Sequence, residues 1–280
     1  MAILLNGKEL REKKLELLKE KVSRLEQPLG LVVMSVGEDE ASKVYVNNKG
    51  KLAKKLGYHF IHESLDESIT EQELIQRIHN YNQNDEIDGI IVQMPLPKKM
   101  DASRVQNAIL PEKDVDGLTY INQGKLLQNK ETLIPCTPKG ILDLIKEYQI
   151  PIEGANVAII GRSILVGKPL SVLLTNHNAT VSSLHSKTRN LEEYTRKADI
   201  VVAAVGKKHF VTEDMVKEGS VIIDVGINRE NGKLYGDVDF DHVKEKASYI
   251  TPVPGGVGPM TVYELMDNVY QARILKREKN

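Results

Sequence analysis

The sequence predicts an α/β protein with parallel sheets, and two observations support that prediction. Helical patterns, with apolar residues three and four positions apart, alternate along the whole chain with short apolar runs typical of buried strands. At 280 residues the chain is also longer than most single domains, so we expect two domains. Alternation of this kind is typical of strands that pair in parallel.

The first series of elements occupies roughly residues 1–120. Its second helix is expected to stop at Gly57, because glycine is favoured just after a helix end. In order, the predicted elements are a helix (9–25), a strand (29–37), a helix (42–57), a strand (58–65), a helix (70–82) and a strand that runs into prolines (88–97).

A second series follows and has the strand, glycine turn, helix, strand order of a doubly wound sheet. It begins with a helix for which Thr137 is the predicted N-cap and Pro138 the first helical residue. The predicted strands are 156–160, 179–184, 199–206 and 219–226, and a loop at 251–259 precedes a last helix at 260–276.

Composition excludes several classes of function. The net charge of −1 gives no electrostatic reason to expect a nucleic-acid or anionic-membrane partner. We expect no signal peptide and no membrane span, since the apolar runs are too short. The single cysteine, Cys136, leaves no internal disulfide and no cysteine-based zinc site, so we expect no metal and a reducing cytoplasm.

The stretch "GRSILVGKP", residues 161–169, lies between a strand and a helix. It fits neither the P-loop pattern nor the three-glycine dinucleotide pattern. A glycine turn that delivers a helix N-terminus still forms an anion site, to which Arg162 and Ser163 add donors. Gly161 is expected to permit a sharp turn, and Gly167 a close backbone approach to a ligand or a neighbouring strand. The alternative is a purely structural turn.

The next strand ends in "LHSKTRN", residues 184–190, without the carboxylate that holds the ribose hydroxyl of NAD. Hydroxyl and basic side chains stand there instead, which suits a 2′-phosphate and predicts NADP. The alternative is a solvated basic loop. These side chains are His185, Ser186, Lys187, Thr188 and Arg189.

Tyr45 and Lys49 are four residues apart and therefore share one face of a predicted helix. A lysine at such a position is usually a solvated surface residue. The functional interpretation requires a partly desolvated Lys49 with a lowered pKa that moves protons near neutral pH, and a Tyr45 that stacks on a planar ligand.

Further polar groups follow predicted strands or occupy turns. Gln93 stands at the carboxyl end of a strand, where α/β proteins bind ligands. Asp114 and Asp116 lie in the turn "PEKDVDG", where a carboxylate can hold the donor edge of a pteridine or simply stabilise the backbone. The loop "TPVPGGVGPMT", residues 251–261, suits either a flat ligand or a tight interdomain connection.

Taken together, the motifs resemble the bifunctional methylenetetrahydrofolate dehydrogenase/cyclohydrolase family nearly end to end. The motifs are "SKVYVNNKGKLAKKLG", "DGIIVQMPLP", "PEKDVDGLT", "PCTPKGI", "GRSILVGKPL", "HSKT", "ADIVVAAVG", "IIDVGIN", "GDVDF" and "TPVPGGVGPMT". The resemblance implies a homodimer whose two α/β domains flank a cleft. Residues 1–120, completed by the helix at 260–280, are expected to bind folate. Residues 121–259 are expected to form a Rossmann-like NADP-binding domain.

Site residues carried over from the family fall into three groups. The catalytic group is Tyr45, Lys49, Gln93 and Asp116, which also bind substrate. The cofactor group is Gly161, Arg162, Ser163, Ser186 and Ile227. Pro254, Gly255 and Gly256 of the final loop complete the substrate group. The one departure is "LPKKM" after Gln93, where many relatives have a histidine near Lys99.

The resemblance implies an NADP-dependent oxidation of 5,10-methylenetetrahydrofolate to the methenyl form, then hydrolysis to 10-formyltetrahydrofolate. Such an enzyme serves one-carbon metabolism, including purine, histidine and methionine biosynthesis. Three alternatives remain: a monofunctional NAD(P)-dependent methylenetetrahydrofolate dehydrogenase, an amino- or hydroxy-acid dehydrogenase, and a non-enzymatic nucleotide sensor.

Overall fold

The structure is a computed structural model that describes residues 2–277, with residues 40, 41 and 277 described by their backbone alone. Within that range the chain forms eleven strands and ten α-helices. The strands are β1 Ile3–Leu4, β2 Gly30–Val36, β3 His59–Leu65, β4 Gly89–Val92, β5 Asn156–Ile160, β6 Thr180–Leu184, β7 Ile200–Ala203, β8 Val221–Asp224, β9 Asn228–Glu230, β10 Lys233–Tyr235 and β11 Tyr249–Ile250. The helices are α1 Gly7–Ser23, α2 Glu40–Lys55, α3 Glu71–Gln83, α4 Ala102–Asn107, α5 Tyr120–Leu127, α6 Cys136–Glu147, α7 Gly167–Asn176, α8 Leu191–Thr195, α9 Phe240–Lys246 and α10 Val257–Arg277, with a 3₁₀ turn at Glu213–Met215.

The chain divides into two compact units. The first comprises residues 1–13 and 135–264, and the second comprises residues 14–134 and 265–280. The predicted assignment of folate to residues 1–120 with 260–280, and of NADP to residues 121–259, stays a prediction. None of the helices in residues 2–277 is long and apolar enough to cross a membrane.

The first unit contains a six-stranded sheet in the order β1-β11-β8-β7-β5-β6, and all its pairs are parallel. The order of the strands from β5 onward is that of a doubly wound sheet, so the predicted α/β, Rossmann-like architecture is confirmed. Strands β9 and β10 form a separate antiparallel hairpin. Apolar residues from β5, β7 and β8, including Ile160, Val201 and Ile222, build a buried core on this sheet.

The second unit contains a three-stranded parallel sheet in the order β3-β2-β4. Strand β2 is central and buried along its whole length, which explains why Ser35 is its only polar side chain. Helix α2 ends as predicted: Gly57 follows its C-cap with a φ of 82°, in the left-handed region that favours glycine. Helix α3 starts with a capping box between Thr70 and Glu73.

The start of α6 differs from the prediction. The helix begins at Cys136, with Pro135 as its N-cap, so the prediction of Thr137 as N-cap and Pro138 as first helical residue is wrong by two positions. The Thr137 hydroxyl instead shares a hydrogen bond of 3.0 Å with the Thr261 hydroxyl on α10. A tertiary partner therefore replaces the local cap, which a sequence pattern cannot reveal.

A buried ion pair joins α10 to the start of β4 in the second unit. Arg273 donates to both carboxylate oxygens of Asp88, through Nε to Oδ1 and through a terminal nitrogen to Oδ2 at 2.7 Å. The other side of the Asp88 carboxylate accepts the Gly30 amide at 2.8 Å. The side chain of Arg273 is 9% exposed and that of Asp88 is 1% exposed, so water cannot replace either partner.

A second buried carboxyl lies in the first unit. Glu264 on α10 is fully buried, and Lys139 Nζ lies 3.0 Å from its Oε2. Burial raises the pKa of Glu264 to about 8, against the lowering effect of the Lys139 charge. Between pH 4.5 and about 8, Glu264 therefore keeps its proton in the folded protein but has lost it in the unfolded chain. The free energy of unfolding consequently falls as pH rises through that window.

Glu264→Gln is expected to remove this dependence. Glu264 should make the free energy of unfolding of the wild type fall by up to about 1.4 kcal/mol per pH unit between about pH 6.5 and 8, and that of the variant should fall less steeply. Asp224, whose pKa burial raises to about 6, acts below this window. Urea denaturation across the window measures both slopes. The exposed Glu153→Gln variant should keep the wild-type slope; equal slopes in wild type and Glu264→Gln would contradict the assignment.

Candidate active site

Lys49 and Gln93 are brought together in the second unit. Lys49 is half-buried on the third turn of α2, and its Nζ donates to Gln93 Oε1 at 3.0 Å. Gln93 directly follows β4, and its amide donates to the Met34 carbonyl at 2.8 Å, which extends the β4–β2 pairing by one residue. Its side-chain Nε2 donates to the Met94 carbonyl at 2.8 Å. The side-chain carboxamide of Gln93 is thus anchored through Nε2, which leaves Oε1 to accept from the Lys49 amine.

Asp116 lies within the electrostatic reach of Lys49. Asp116 lies two residues after Asp114, and the backbone of Asp114 forms a parallel β-bridge with Ile90 of β4. Burial raises the pKa of Asp116, the Lys49 charge lowers it, and the Asp114 charge raises it. A carboxylate, an amine and a carboxamide therefore share one site at the carboxyl end of β4, where a polar ligand can be held.

The two aspartates of this turn differ in their surroundings. Asp114 is fully buried, and its Oδ2 accepts from the Thr119 amide at 2.7 Å and from Asn122 Nδ2 at 2.9 Å. Those bonds fix the turn that leads into α5. Asp116 is half-buried and so remains accessible to a ligand. Of the two predicted carboxylates, Asp114 stabilises the backbone, and ligand binding by Asp116 stays a prediction.

Tyr45 stands one turn before Lys49 on α2, and 52% of its surface is exposed. The ring consequently has open surface on the helix face that carries Lys49. Packing of Tyr45 on a planar ligand stays a prediction.

In the first unit, the turn between β5 and α7 is folded tightly on itself. Gly161 has a φ of 122°, and a β-carbon there would overlap the Ala204 carbonyl. A β-carbon at Gly167 would overlap the Gly161 carbonyl, so the close approach predicted for Gly167 is made to its own turn. Ser163 Oγ accepts the Val166 amide at 3.1 Å, which stabilises the turn. Donation from Ser163 to a cofactor stays a prediction.

A cavity of about 320 Å³ opens beside this turn. Three predicted cofactor residues, Gly161, Arg162 and Ser186, lie in its wall together with His185 and Lys207. None of the described residues that line this cavity carries a carboxylate. The donor set is thus cationic and hydroxylic, which fits a phosphorylated nucleotide.

A second cavity of the same unit, about 110 Å³ in volume, is lined by Ile227 and by the final loop. Pro254, Gly255 and Gly256 are the predicted substrate residues in its wall. The loop is held against the start of α1, because the Lys8 amide donates to the Gly255 carbonyl at 3.0 Å. The structure therefore groups Ile227 with the final loop, apart from the larger cavity.

Comparison with known proteins identifies both parts of the chain. Residues 5–116 match the family model described as the catalytic domain of tetrahydrofolate dehydrogenase/cyclohydrolase, and residues 135–277 match that of its NAD(P)-binding domain. The chain belongs to the tetrahydrofolate dehydrogenase/cyclohydrolase family. The resemblance stated from the motifs is thereby confirmed.

Individual relatives of the chain support the same family. The bifunctional protein FolD of Streptococcus thermophilus is 52% identical over 279 residues, 98% of each chain. The crystal structure of the bifunctional enzyme FolD from Campylobacter jejuni has a TM-score of 0.97 at 43% identity, covering 99% of this chain and 100% of the other. A Trypanosoma brucei methylenetetrahydrofolate dehydrogenase-cyclohydrolase, complexed with NADP and an inhibitor, has a TM-score of 0.93 at 33% identity, covering 100% of this chain and 99% of that one.

Several residues that line the cavity beside Gly161 were not predicted from the sequence. Val205, Lys207 and Phe210 follow β7 and line the larger cavity. Their position directly after a parallel strand is the signal that could have found them, since ligands bind at the carboxyl ends of such strands.

Proposed function

We propose that this chain oxidises 5,10-methylenetetrahydrofolate with NADP and then hydrolyses the 5,10-methenyl product to 10-formyltetrahydrofolate. The observation that supports it best is the bond from Lys49 Nζ to Gln93 Oε1, 3.0 Å long, within the electrostatic reach of Asp116. Family membership favours this bifunctional activity over a monofunctional dehydrogenase, an amino- or hydroxy-acid dehydrogenase and a nucleotide sensor.

The oxidation requires placement more than acid–base chemistry. When bound, NADP accepts a hydride. The lone pairs of the two folate nitrogens expel that hydride from the bridging carbon and share the positive charge that remains. We infer that Tyr45 packs on the pterin plane and that Asp116 accepts hydrogen bonds from its amino and ring N–H groups. Such anchoring fixes the distance and angle over which hydride moves.

The hydrolysis requires a group that moves protons. As water adds to the methenyl carbon, one of its protons moves to the Lys49 side chain. Lys49 Nζ gives a proton to N5 as the carbon–N5 bond breaks. The remaining hydroxyl proton leaves to solvent as the formyl carbonyl forms. Gln93 orients the Lys49 amine, because its own amide is held by the Met94 carbonyl.

We assign the cofactor to the first unit. Arg162, Ser186 and Lys207 would hold phosphate oxygens of NADP, and the turn at Gly161 leaves the room that backbone approach requires. Ser163 would add a donor at the same turn. Ile227, with Pro254, Gly255 and Gly256, would meet the flat nicotinamide and folate surfaces.

One spectrophotometric assay tests the function. Methylenetetrahydrofolate and NADP should yield NADPH together with a methenyl absorbance that rises and then decays. A methenyl signal that persists would leave a monofunctional dehydrogenase, and absence of NADPH would refute the oxidation. Repetition with NAD measures cofactor choice: we expect clear preference for NADP, since the described residues that line the cavity include Arg162 and Lys207 and no carboxylate.

Asp116→Ala is expected to weaken folate binding by about 10- to 100-fold, the usual effect of losing a charged hydrogen-bond partner. The dissociation constant of NADP should change by less than about twofold, because the proposed NADP site does not include the Asp116 carboxylate. Titration of each ligand measures both constants. Glu112→Ala removes an exposed carboxylate from the same loop and should leave both unchanged. An equal loss of both affinities in Asp116→Ala would make the residue structural.

We further propose that the enzyme acts as a homodimer in the cytoplasm on tetrahydrofolate derivatives. Residues 1–120 with 260–280 would supply folate binding, and residues 121–259 would supply NADP binding. Cys136 is the single cysteine and is buried outside any disulfide, which is compatible with a reducing compartment. Light scattering coupled to size exclusion would test the dimer: a mass near 31.3 kDa instead of twice that value would contradict it.

A further inference from the structure

Besides Glu264, two more carboxyl side chains of the first unit are buried without being part of the proposed chemistry. Asp237 is fully buried and follows β10, and Asp224 is 3% exposed at the end of β8. Buried carboxylates are costly unless they are well bonded. Their bonds therefore indicate what they do.

Asp237 accepts hydrogen bonds from three consecutive backbone amides. Its Oδ2 accepts from Val205 at 2.6 Å and Gly206 at 2.9 Å, and its Oδ1 accepts from Lys207 at 2.8 Å. Asn228 Nδ2 donates to the same Oδ1 at 2.9 Å. One side chain thus fixes the loop after β7 and also contacts the first residue of β9.

Asp224 holds Asp237 in place. Its Oδ1 accepts the Asp237 amide at 2.9 Å and the Gly226 amide at 2.9 Å, and its Oδ2 accepts the Val238 amide at 2.9 Å. The backbone amide of Asp224 donates to Thr251 Oγ1 at 2.6 Å, at the first residue of the final loop. The two aspartates therefore connect the loops after β7, β8, β10 and β11.

The backbone is packed directly on these carboxylates. A β-carbon at Gly226 would overlap the Asp237 carboxylate, and one at Gly236 would overlap the Asp224 carboxylate. Burial raises the pKa of Asp224 to about 6, while bonds from the amides of 226, 237 and 238 lower it. At neutral pH both oxygens of this carboxylate thus accept hydrogen bonds.

The connected loops contribute to the walls of the two cavities described above, of about 320 and 110 Å³. Val205 and Lys207 lie in the wall of the larger cavity, and Gly226 and Ile227 lie in the wall of the smaller one. A shift of the Asp237 carboxylate would move the amides of residues 205–207 and so the base of the larger cavity.

We propose that Asp237, held by Asp224, is a positioning residue for NADP: it fixes the loop 205–207 and the Ile227–Asn228 segment in the conformation that receives the cofactor. The inference rests on the proposed function, since NADP is the ligand concerned. Neither carboxylate touches the reacting atoms in this scheme, so both act on the cofactor through backbone that they hold.

The test separates cofactor binding from folding and from hydrolysis. Asp237→Asn exchanges one acceptor oxygen for a donor that faces amide N–H groups, and should raise the dissociation constant of NADP by about 10- to 100-fold. Hydrolysis of methenyltetrahydrofolate, assayed without NADP, should stay within about twofold of wild type, because it uses Lys49 and Gln93. Asp199→Asn is the matched control. It alters a carboxylate just before β7, at the opposite end of the strand, where Asp199 accepts the Asn156 amide at 2.7 Å.

Asn228→Ala provides a milder variant if Asp237→Asn fails to fold. It removes one donor to Asp237 and should raise the dissociation constant of NADP by about three- to tenfold. NADP affinity within twofold of wild type in the folded variants would overturn the inference, as would a parallel loss of NADP binding and of cofactor-free hydrolysis. Wild-type protein that bound no NADP would instead overturn the proposed function.

Discussion

Lys49→Met should lower the rate of methenyltetrahydrofolate hydrolysis by about 100- to 10,000-fold, the range that general acid–base groups contribute. Methionine is similar in length to lysine but has no group that can accept or donate a proton. Packing is therefore largely kept while proton transfer is lost. The dehydrogenase should be retained, because hydride transfer depends on geometry. Methenyltetrahydrofolate should then accumulate in the coupled reaction, and its absorbance measures the loss directly.

Lys51→Met provides the matched control for this prediction. Lys51 lies two residues further along α2 and is exposed, so its replacement should leave both activities within about twofold of wild type. Undiminished hydrolysis by Lys49→Met would remove Lys49 from its proposed role. Equal loss of both activities would indicate that the residue serves binding or structure.

The largest expected effect on stability comes from Arg273→Met. The substitution leaves the Asp88 carboxylate buried with only the Gly30 amide as a strong partner among the bonds described above. Loss of one member of a buried ion pair costs about 3–5 kcal/mol, because the remaining charge stays desolvated. Urea denaturation should show the midpoint falling accordingly, with the slope unchanged if unfolding remains cooperative.

Lys276→Met is the control on the same helix. Lys276 pairs with Asp85 at 2.6 Å, but the Asp85 side chain is 91% exposed and the Lys276 side chain 34% exposed. Exposed pairs contribute at most about 1 kcal/mol, so this variant should unfold close to wild type. Similar losses in the two variants would show that burial of the Asp88 pair has no special effect.

The parts of the fold that sequence predicts are those governed by short-range rules. Strand β2 is apolar apart from Ser35 because both of its faces are covered, and α2 ends before a glycine that adopts a positive φ. The Tyr45 and Lys49 pair could be placed on one helix face from spacing alone. That Gln93 meets Lys49 required the strand order, since α2 and β4 are brought together only by parallel pairing.

The parts that sequence misses depend on distant partners. Strand β1 has only two residues, both about half exposed, and exists because β11 pairs with it in parallel. Helix α6 begins at Cys136 without a side-chain cap, and the hydroxyl of Thr137, the predicted cap, bonds to the Thr261 hydroxyl on α10. Asp237 stands within a motif that carried the family resemblance, but its bonds to residues 205–207 span about thirty positions and leave no periodic signal.

The packing of glycine against carboxylate in the first unit restricts how this enzyme can evolve. A bulkier residue at Gly236 becomes sterically acceptable only after the side chain at position 224 has been shortened. Shortening that side chain first, however, leaves three backbone amides without their hydrogen-bond acceptor. Each single step is harmful, so drift at these positions requires simultaneous changes. A saturation scan of double variants should therefore find strong sign epistasis between positions 224 and 236, and little between Gly236 and exposed positions such as Glu153.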